Sequence, residues 1–217
     1  MRVEASFSAV GLLAFLSFSD GEWGRMFDRT DVASSVDVSR CTSHAGFVEQ
    51  VRTYDFFGSR APDASQSLRQ RLLVSNDHEG RSKRFTGQTD WHIEWRACFE
   101  ARGFGCRIGG VVSTVNVTYT LPRWADRETA PPHLRDKWDR YIASLAAHEK
   151  GHGAISYQVA GLIDQALVGL VDTHSCDALS SVAGQVVEQV MQRGEALQRD
   201  YDRATGHGST QGAQFPF

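Results

Sequence analysis

Five consecutive residues, His148-Glu149-Lys150-Gly151-His152, carry the clearest chemical signal in the sequence. Histidines four residues apart share one face of a helix, with Cβ atoms roughly 6 Å from each other. Both imidazoles can then reach a single ion. Zinc takes nitrogen at about 2.0–2.1 Å and, in catalytic sites, keeps a fourth position for water. Glu149 is rotated about 100° from His148 around the helix, within reach of such a water without ligating the ion. A carboxylate there can accept the water's proton and hand it to a leaving amine, which is metal-assisted hydrolysis. The plain alternative is a pair of satisfied core histidines. Placement weighs against it, because both lie on the stripe between Leu145 and Ile155, where unpaired polar groups are costly.

Two histidines and a water do not complete the site, so a third protein ligand is required downstream. A third histidine six residues on is absent, since position 158 is Gln. Glu188 falls on the solvent side of the second helix, whereas Glu195 and Asp202 flank its inward stripe. His174 sits in the break between helices and reads as a surface residue. His207 lies between Gly206 and Gly208, where permissive backbone can fold a side chain back. From the residues alone, His207, Asp202 and Glu195 all remain open.

The elements that must hold these residues follow from periodicity. Leu134, Trp138, Tyr141, Leu145, His148, His152, Ile155, Val159 and Leu162 recur every three or four residues, the stripe of one long helix. A second helix is expected from about Cys176 to Arg203, with Leu179, Ala183, Val186, Val190, Leu197 and Tyr201 inward, and its sequel GHGSTQGAQFPF reads as loop. Upstream, period-2 alternation marks two strands. In the first, Phe85, Thr89, Trp91, Ile93, Trp95, Ala97 and Phe99 oppose Asp90, His92, Glu94 and Arg96; in the second, Val111, Val115, Val117, Tyr119 and Leu121 face inward. A third strand is expected over Phe47 to Phe57, a short helix from Pro62-Asp63, and a charged loop over Asn76 to Arg84. Strands before helices give an α+β fold: a twisted antiparallel sheet packed on the long helix that carries the motif.

The chain has 217 residues, 41% hydrophobic and 23% charged, with 23 Lys+Arg against 26 Asp+Glu. That composition suits one folded domain and excludes intrinsic disorder. A formal charge of -3 without a basic cluster provides no field for nucleic acid. Arg2 and the apolar run Ala5 to Phe18, closed by Ser17-Phe18-Ser19, predict a signal peptide over residues 1–19 and a secreted or periplasmic protein. Residues 20–46 form a polar lead, and no membrane span is expected in the mature chain. None of Cys41, Cys98, Cys106 and Cys176 lies in a Cys-x-x-Cys; the pairings expected are Cys98–Cys106 across a hairpin and Cys41–Cys176.

The block from Gly87-Gln88-Thr89-Asp90-Trp91 through Tyr119-Thr120-Leu121-Pro122-Arg123-Trp124, Trp138, Tyr141 and the His-Glu-Lys-Gly-His motif resembles the domain of unknown function family 922. So does Tyr201-Asp202-Arg203-Ala204-Thr205-Gly206-His207-Gly208-Ser209-Thr210-Gln211-Gly212. The likeness covers roughly Phe47 to Pro216. That family is described as predicted secreted zinc-dependent proteases of the zincin type. The resemblance implies a zincin-like metallohydrolase domain over residues 47–217, with His148 and His152 as zinc ligands and Glu149 as catalytic base. It favours His207 as third ligand over Asp202 and Glu195, and a protein or peptide as substrate. Two other readings keep the motif: a metal-dependent amidase acting on cell-wall peptides, and a non-catalytic envelope binding protein with a structural ion.

Overall fold

A computed structural model of the chain describes residues 42–76, 82–103, 105–172 and 174–217. The expected signal peptide, the lead up to residue 41 and Cys41 lie outside the described residues. The fold is α+β, in the order β1 (His44–Phe56), α1 (Ala61–Gln70), β2 (Leu73–Asn76), β3 (Ser82–Phe85), β4 (Gln88–Arg102), β5 (Gly105–Trp124), α2 (Pro132–Leu167), β6 (Val171–Asp172) and α3 (Cys176–Thr205). The segment after α3 ends in a 3-10 turn, Ser209–Gln211, and an extended stretch.

The main sheet has the order β1-β5-β4, with β6 added to the start of β5. β4 and β5 are antiparallel, as the alternation requires. β1, however, runs parallel to β5, with Phe47 opposite Val115 and Val51 opposite Tyr119, so the sheet is mixed rather than antiparallel throughout. From β1 the chain passes through α1 and the antiparallel pair β2–β3 into β4, which runs opposite to β1; the β4–β5 hairpin then lays β5 between them, parallel to β1. Asn76 belongs to β2 and Ser82 to Arg84 belong to β3, at the two ends of the expected charged loop. Their alternation is too short and too polar to stand out from loop sequence.

One face of β5 (Ile108, Val111, Val115, Val117, Tyr119) packs on Val159, Ile163 and Leu167 of α2 and on Leu179, Ala183 and Val187 of α3. A second cluster joins Phe56, Leu68, Leu121 and Trp124 to Leu134, Trp138 and Tyr141 at the start of α2. Each fully buried aliphatic side chain contributes about 1.5–3 kcal/mol, so these clusters fix the helices against the sheet. At Gly194 an added Cβ would come within 2.7 Å of Val159, and this contact lets α3 lie close on α2 about two turns beyond the motif.

The cysteine pairing differs from expectation. Cys106 is bonded to Cys176, which excludes both Cys98–Cys106 and Cys41–Cys176. The cause is the register of the β4–β5 hairpin, which places Ala101, not Cys98, opposite Cys106. Farther along, a bulge inserts Gly109 into β5, and Cys98, opposite Gly110, is buried while Phe99 is 37% exposed. The bond ties the start of β5 to the first residue of α3 across 70 residues. Restricting a loop of that length in the unfolded chain is worth about 4 kcal/mol at most. Replacing both cysteines with Ala should lower the unfolding free energy in guanidinium by about 2–4 kcal/mol and leave metal binding in place. A change below 1 kcal/mol would mean that the helix packing already fixes this end of α3.

Candidate metal centre

His148 and His152 project from the middle of α2 toward α3, and Asp202, in the last turn of α3, meets them. Asp202 Oδ1 lies 3.3 Å from His148 Nε2 and 3.1 Å from His152 Nε2. The three ligand atoms fall within 4.8 Å of one another, and among the described residues this is the one group of His, Cys, Asp and Glu so arranged. Corners of a tetrahedron around an ion at about 2.0–2.1 Å are about 3.3–3.4 Å apart, so the Asp202 distances are close to the edges such an ion needs.

The proton bookkeeping of the two rings points the same way. His152 Nδ1 is 2.6 Å from Gln198 Oε1, and the Gln198 amide nitrogen donates to the carbonyl of His152 at 3.0 Å. That second bond fixes which end of the amide is the acceptor, so Nδ1 carries the proton. A neutral ring then presents a bare lone pair on Nε2 to an anionic oxygen 3.1 Å away. Such a contact is repulsive unless a cation sits between the two. His148 is held alike, with Nδ1 3.0 Å from Gln211 Oε1. Partners of this kind on the outer nitrogen are what orient metal-binding histidines. The donor set therefore fits a zinc-sized ion.

The electrostatics agree. Burial pushes the Asp202 carboxyl up, but hydrogen bonds from His148 and His152, with the charges of His152 and His207, hold it well below the usual carboxylate range. For His152, burial opposes charge, yet the bonds to Asp202 and Gln198 raise it above the ordinary imidazole value.

Glu149 lies beside the two histidines and is 4% exposed. The Thr89 hydroxyl of β4 is 2.6 Å from its Oε2 and 3.1 Å from its backbone carbonyl oxygen. Oε1 approaches Gly87, where a Cβ would come within 2.6 Å. Burial raises the Glu149 pKa, against the Thr89 hydrogen bond and the nearby histidines. A raised carboxyl suits a group that accepts and releases a proton.

Tyr201 stacks on the His148 ring, centroids 5.1 Å apart and nearly coplanar, and lies edge-on to His152 at 5.0 Å. Gly151 makes room for it, since a Cβ there would meet the Tyr201 hydroxyl at 2.1 Å. The cleft above the site has a volume of about 520 Å³ and is walled by Phe85 to Trp91 on one side and by Met191, Glu195, Gln198 and Arg199 of α3 on the other.

The remaining sequence candidates fall as follows. His207 reaches the cleft wall but lies outside the group of three: its Nδ1 is 3.3 Å from Asp202 Oδ1, its ring rests against Phe85, and it is half exposed. It holds φ 52°, left-handed backbone rare for a residue other than glycine, between Gly206 and Gly208. Glu195 is exposed on the rim and pairs with Arg199 at 3.8 Å. Glu188 is exposed on α3. His174 is bound to Asp172 on the surface. Reasoning from sequence missed Thr89, Gln198 and Gln211. Gln198 had a signal, since Glu195, Gln198 and Asp202 form a polar stripe at helical spacing beside the apolar face of α3.

Neither the curated proteins nor the solved structures searched yield a match to this chain. Residues 51–208, which span β1 through the metal centre, match a family described as "Bacterial protein of unknown function (DUF922)", and the chain belongs to that family.

Proposed function

We propose that the protein is a zinc-dependent hydrolase of peptide bonds, secreted or periplasmic, with His148, His152 and Asp202 holding the ion and Glu149 handling the proton. The observation that carries this reading is the pairing of one ligand triad with a buried carboxyl held by Thr89 on the next residue of the same helix. A zinc ion bound there supplies positive charge for a substrate carbonyl and lowers the pKa of water.

The chain's own residues do the rest. Glu149 accepts a proton from the attacking water and delivers it to the departing amine. Thr89 fixes one oxygen of that carboxylate, and the close approach of Gly87 confines the other. Burial keeps competing water away and sharpens each electrostatic contact. β4 is an edge strand of the main sheet, and its first residues wall the cleft. Its outer backbone groups suit an extended peptide, which would pair as an added strand with its scissile bond toward the triad.

No helix among the described residues is long and apolar enough to cross a membrane, and the chain carries the Cys106–Cys176 disulfide. The disulfide favours an oxidising compartment, in line with the export signal expected from sequence. Purified protein given one equivalent of zinc should cleave casein, lose that activity to a chelator, and regain it on adding zinc back. Cleavage of purified cell wall but not casein would move the substrate to envelope amides. Activity indifferent to chelation would refute the metal-dependent reading.

A further inference from the structure

The segment after α3, which reads as loop in the sequence, makes specific contacts at two places far apart on α2. Near the metal centre, Gly206, His207 and Gly208 (φ 56°, 52° and 81°) reverse the chain. Gly208 lies flat on the His148 ring, where a Cβ would come within 2.9 Å of Cγ. The turn is closed by bonds from the Gln211 and Ala213 amides to the Gly208 carbonyl at 2.9 and 3.0 Å, and its Gln211 amide oxygen faces His148 Nδ1 at 3.0 Å. Nearly three turns of helix away, Phe217 stacks on Trp138 at 6.2 Å and meets Trp124 edge-on at 5.1 Å. Phe215 contacts Tyr141 and lies under the Arg69 guanidinium.

We infer that residues 206–217 form a strap: anchored in the aromatic cluster by Phe215 and Phe217, it is the element that holds Gln211 on His148 and so sets that ligand's orientation. The inference rests on the metal-site reading for its purpose. Its physical content concerns this chain alone.

Gln211 itself is exposed and sits on a three-residue 3-10 turn, with φ 97° at the following Gly212. So short a turn has little stability of its own. Without the anchor, the turn would exchange its bond to His148 for water, leaving Nδ1 only the Thr205 hydroxyl at 3.5 Å. Gln198 needs no such device, because it projects from the body of α3. The two outer partners thus differ: one is built into a helix, the other depends on docking of a strap.

The test is a double-mutant cycle read by zinc affinity and by carbon-13 NMR relaxation of the histidine rings in the metal-free protein. Gln211→Ala should weaken zinc about 10- to 100-fold, the usual effect of losing such a partner. Phe215→Ala/Phe217→Ala should weaken it by a similar factor, and adding Gln211→Ala to that variant should cause little further loss, because both act through one hydrogen bond. In metal-free protein both variants should make the His148 ring more mobile, with His152 unchanged. A variant weakened in the other core cluster, Ile163→Val, should alter neither readout and so controls for general loss of stability. Unchanged affinity and ring mobility in the phenylalanine variant, or losses that multiply in the triple variant, would overturn the inference. If the wild-type protein binds no zinc, the metal-site reading fails, and the mobility readout still decides the strap.

Discussion

Glu149→Gln should abolish hydrolysis while leaving the metal in place. The amide keeps the size of the carboxyl and can still meet the Thr89 hydroxyl through its oxygen, so the local packing survives. It cannot accept a proton. Removing a positioned general base costs about 10²- to 10⁴-fold, and here the same carboxylate also returns the proton to the leaving amine. A fall in kcat of at least about a hundredfold is expected, with KM and zinc content close to wild type. Loss of an interaction made only in the transition state has that signature. Turnover within a few-fold of wild type would remove Glu149 from the reaction, and zinc lost from the variant would recast it as a ligand.

The second large effect concerns Asp202. Asp202→Ala should remove the single oxygen that faces both Nε2 atoms, leaving two imidazoles and no third protein donor. Zinc affinity is expected to fall by at least about a thousandfold, and activity with it, since a two-ligand site does not retain the ion at low concentration. His207→Ala should keep the zinc, with at most about a tenfold weakening, because its Nδ1 contacts the Asp202 oxygen rather than joining the group. The reverse pattern, with zinc held by Asp202→Ala and lost from His207→Ala, would restore the histidine favoured by the family resemblance. Isothermal titration of both variants decides between them.

The difference between these two ligands shows where sequence reasoning stops. The motif on α2 was legible because it depends on local spacing: four residues make one turn, and His148 and His152 must share a face. The strands β4 and β5 were legible for the same reason, with period 2 in place of 3.6. What joins α3 to α2 is not local. Asp202 meets the histidines because Gly194 admits Val159 and Gly151 admits Tyr201, which sets both the distance and the rotation of α3. Periodicity places Asp202 only at the flank of the inward stripe, and a quarter-turn of α3 would exchange it for a neighbour. His207 is subject to three successive left-handed residues, whose direction no spacing rule supplies.

Two other differences have physical causes of the same non-local kind. The β4–β5 hairpin register puts Ala101 opposite Cys106 and leaves Cys98 farther along, which undoes a disulfide inferred from alternation. The parallel placement of β1 comes from the insertion of β5 between β1 and β4, not from the pattern of β1 itself, which reads alike in either direction. The second layer of partners around the histidines follows from tertiary packing as well. Gln198 and Gln211 are 46 and 63 residues from the rings they hold.

The most direct test of the account is the coordination of the ion, read by X-ray absorption on protein loaded with one equivalent of zinc. The account predicts four-coordinate zinc bound through nitrogen and oxygen only, with two imidazoles, one carboxylate oxygen and one exchangeable solvent oxygen. A third imidazole in place of solvent would mean a closed site with four protein ligands, a structural ion rather than a hydrolytic centre, and would contradict it.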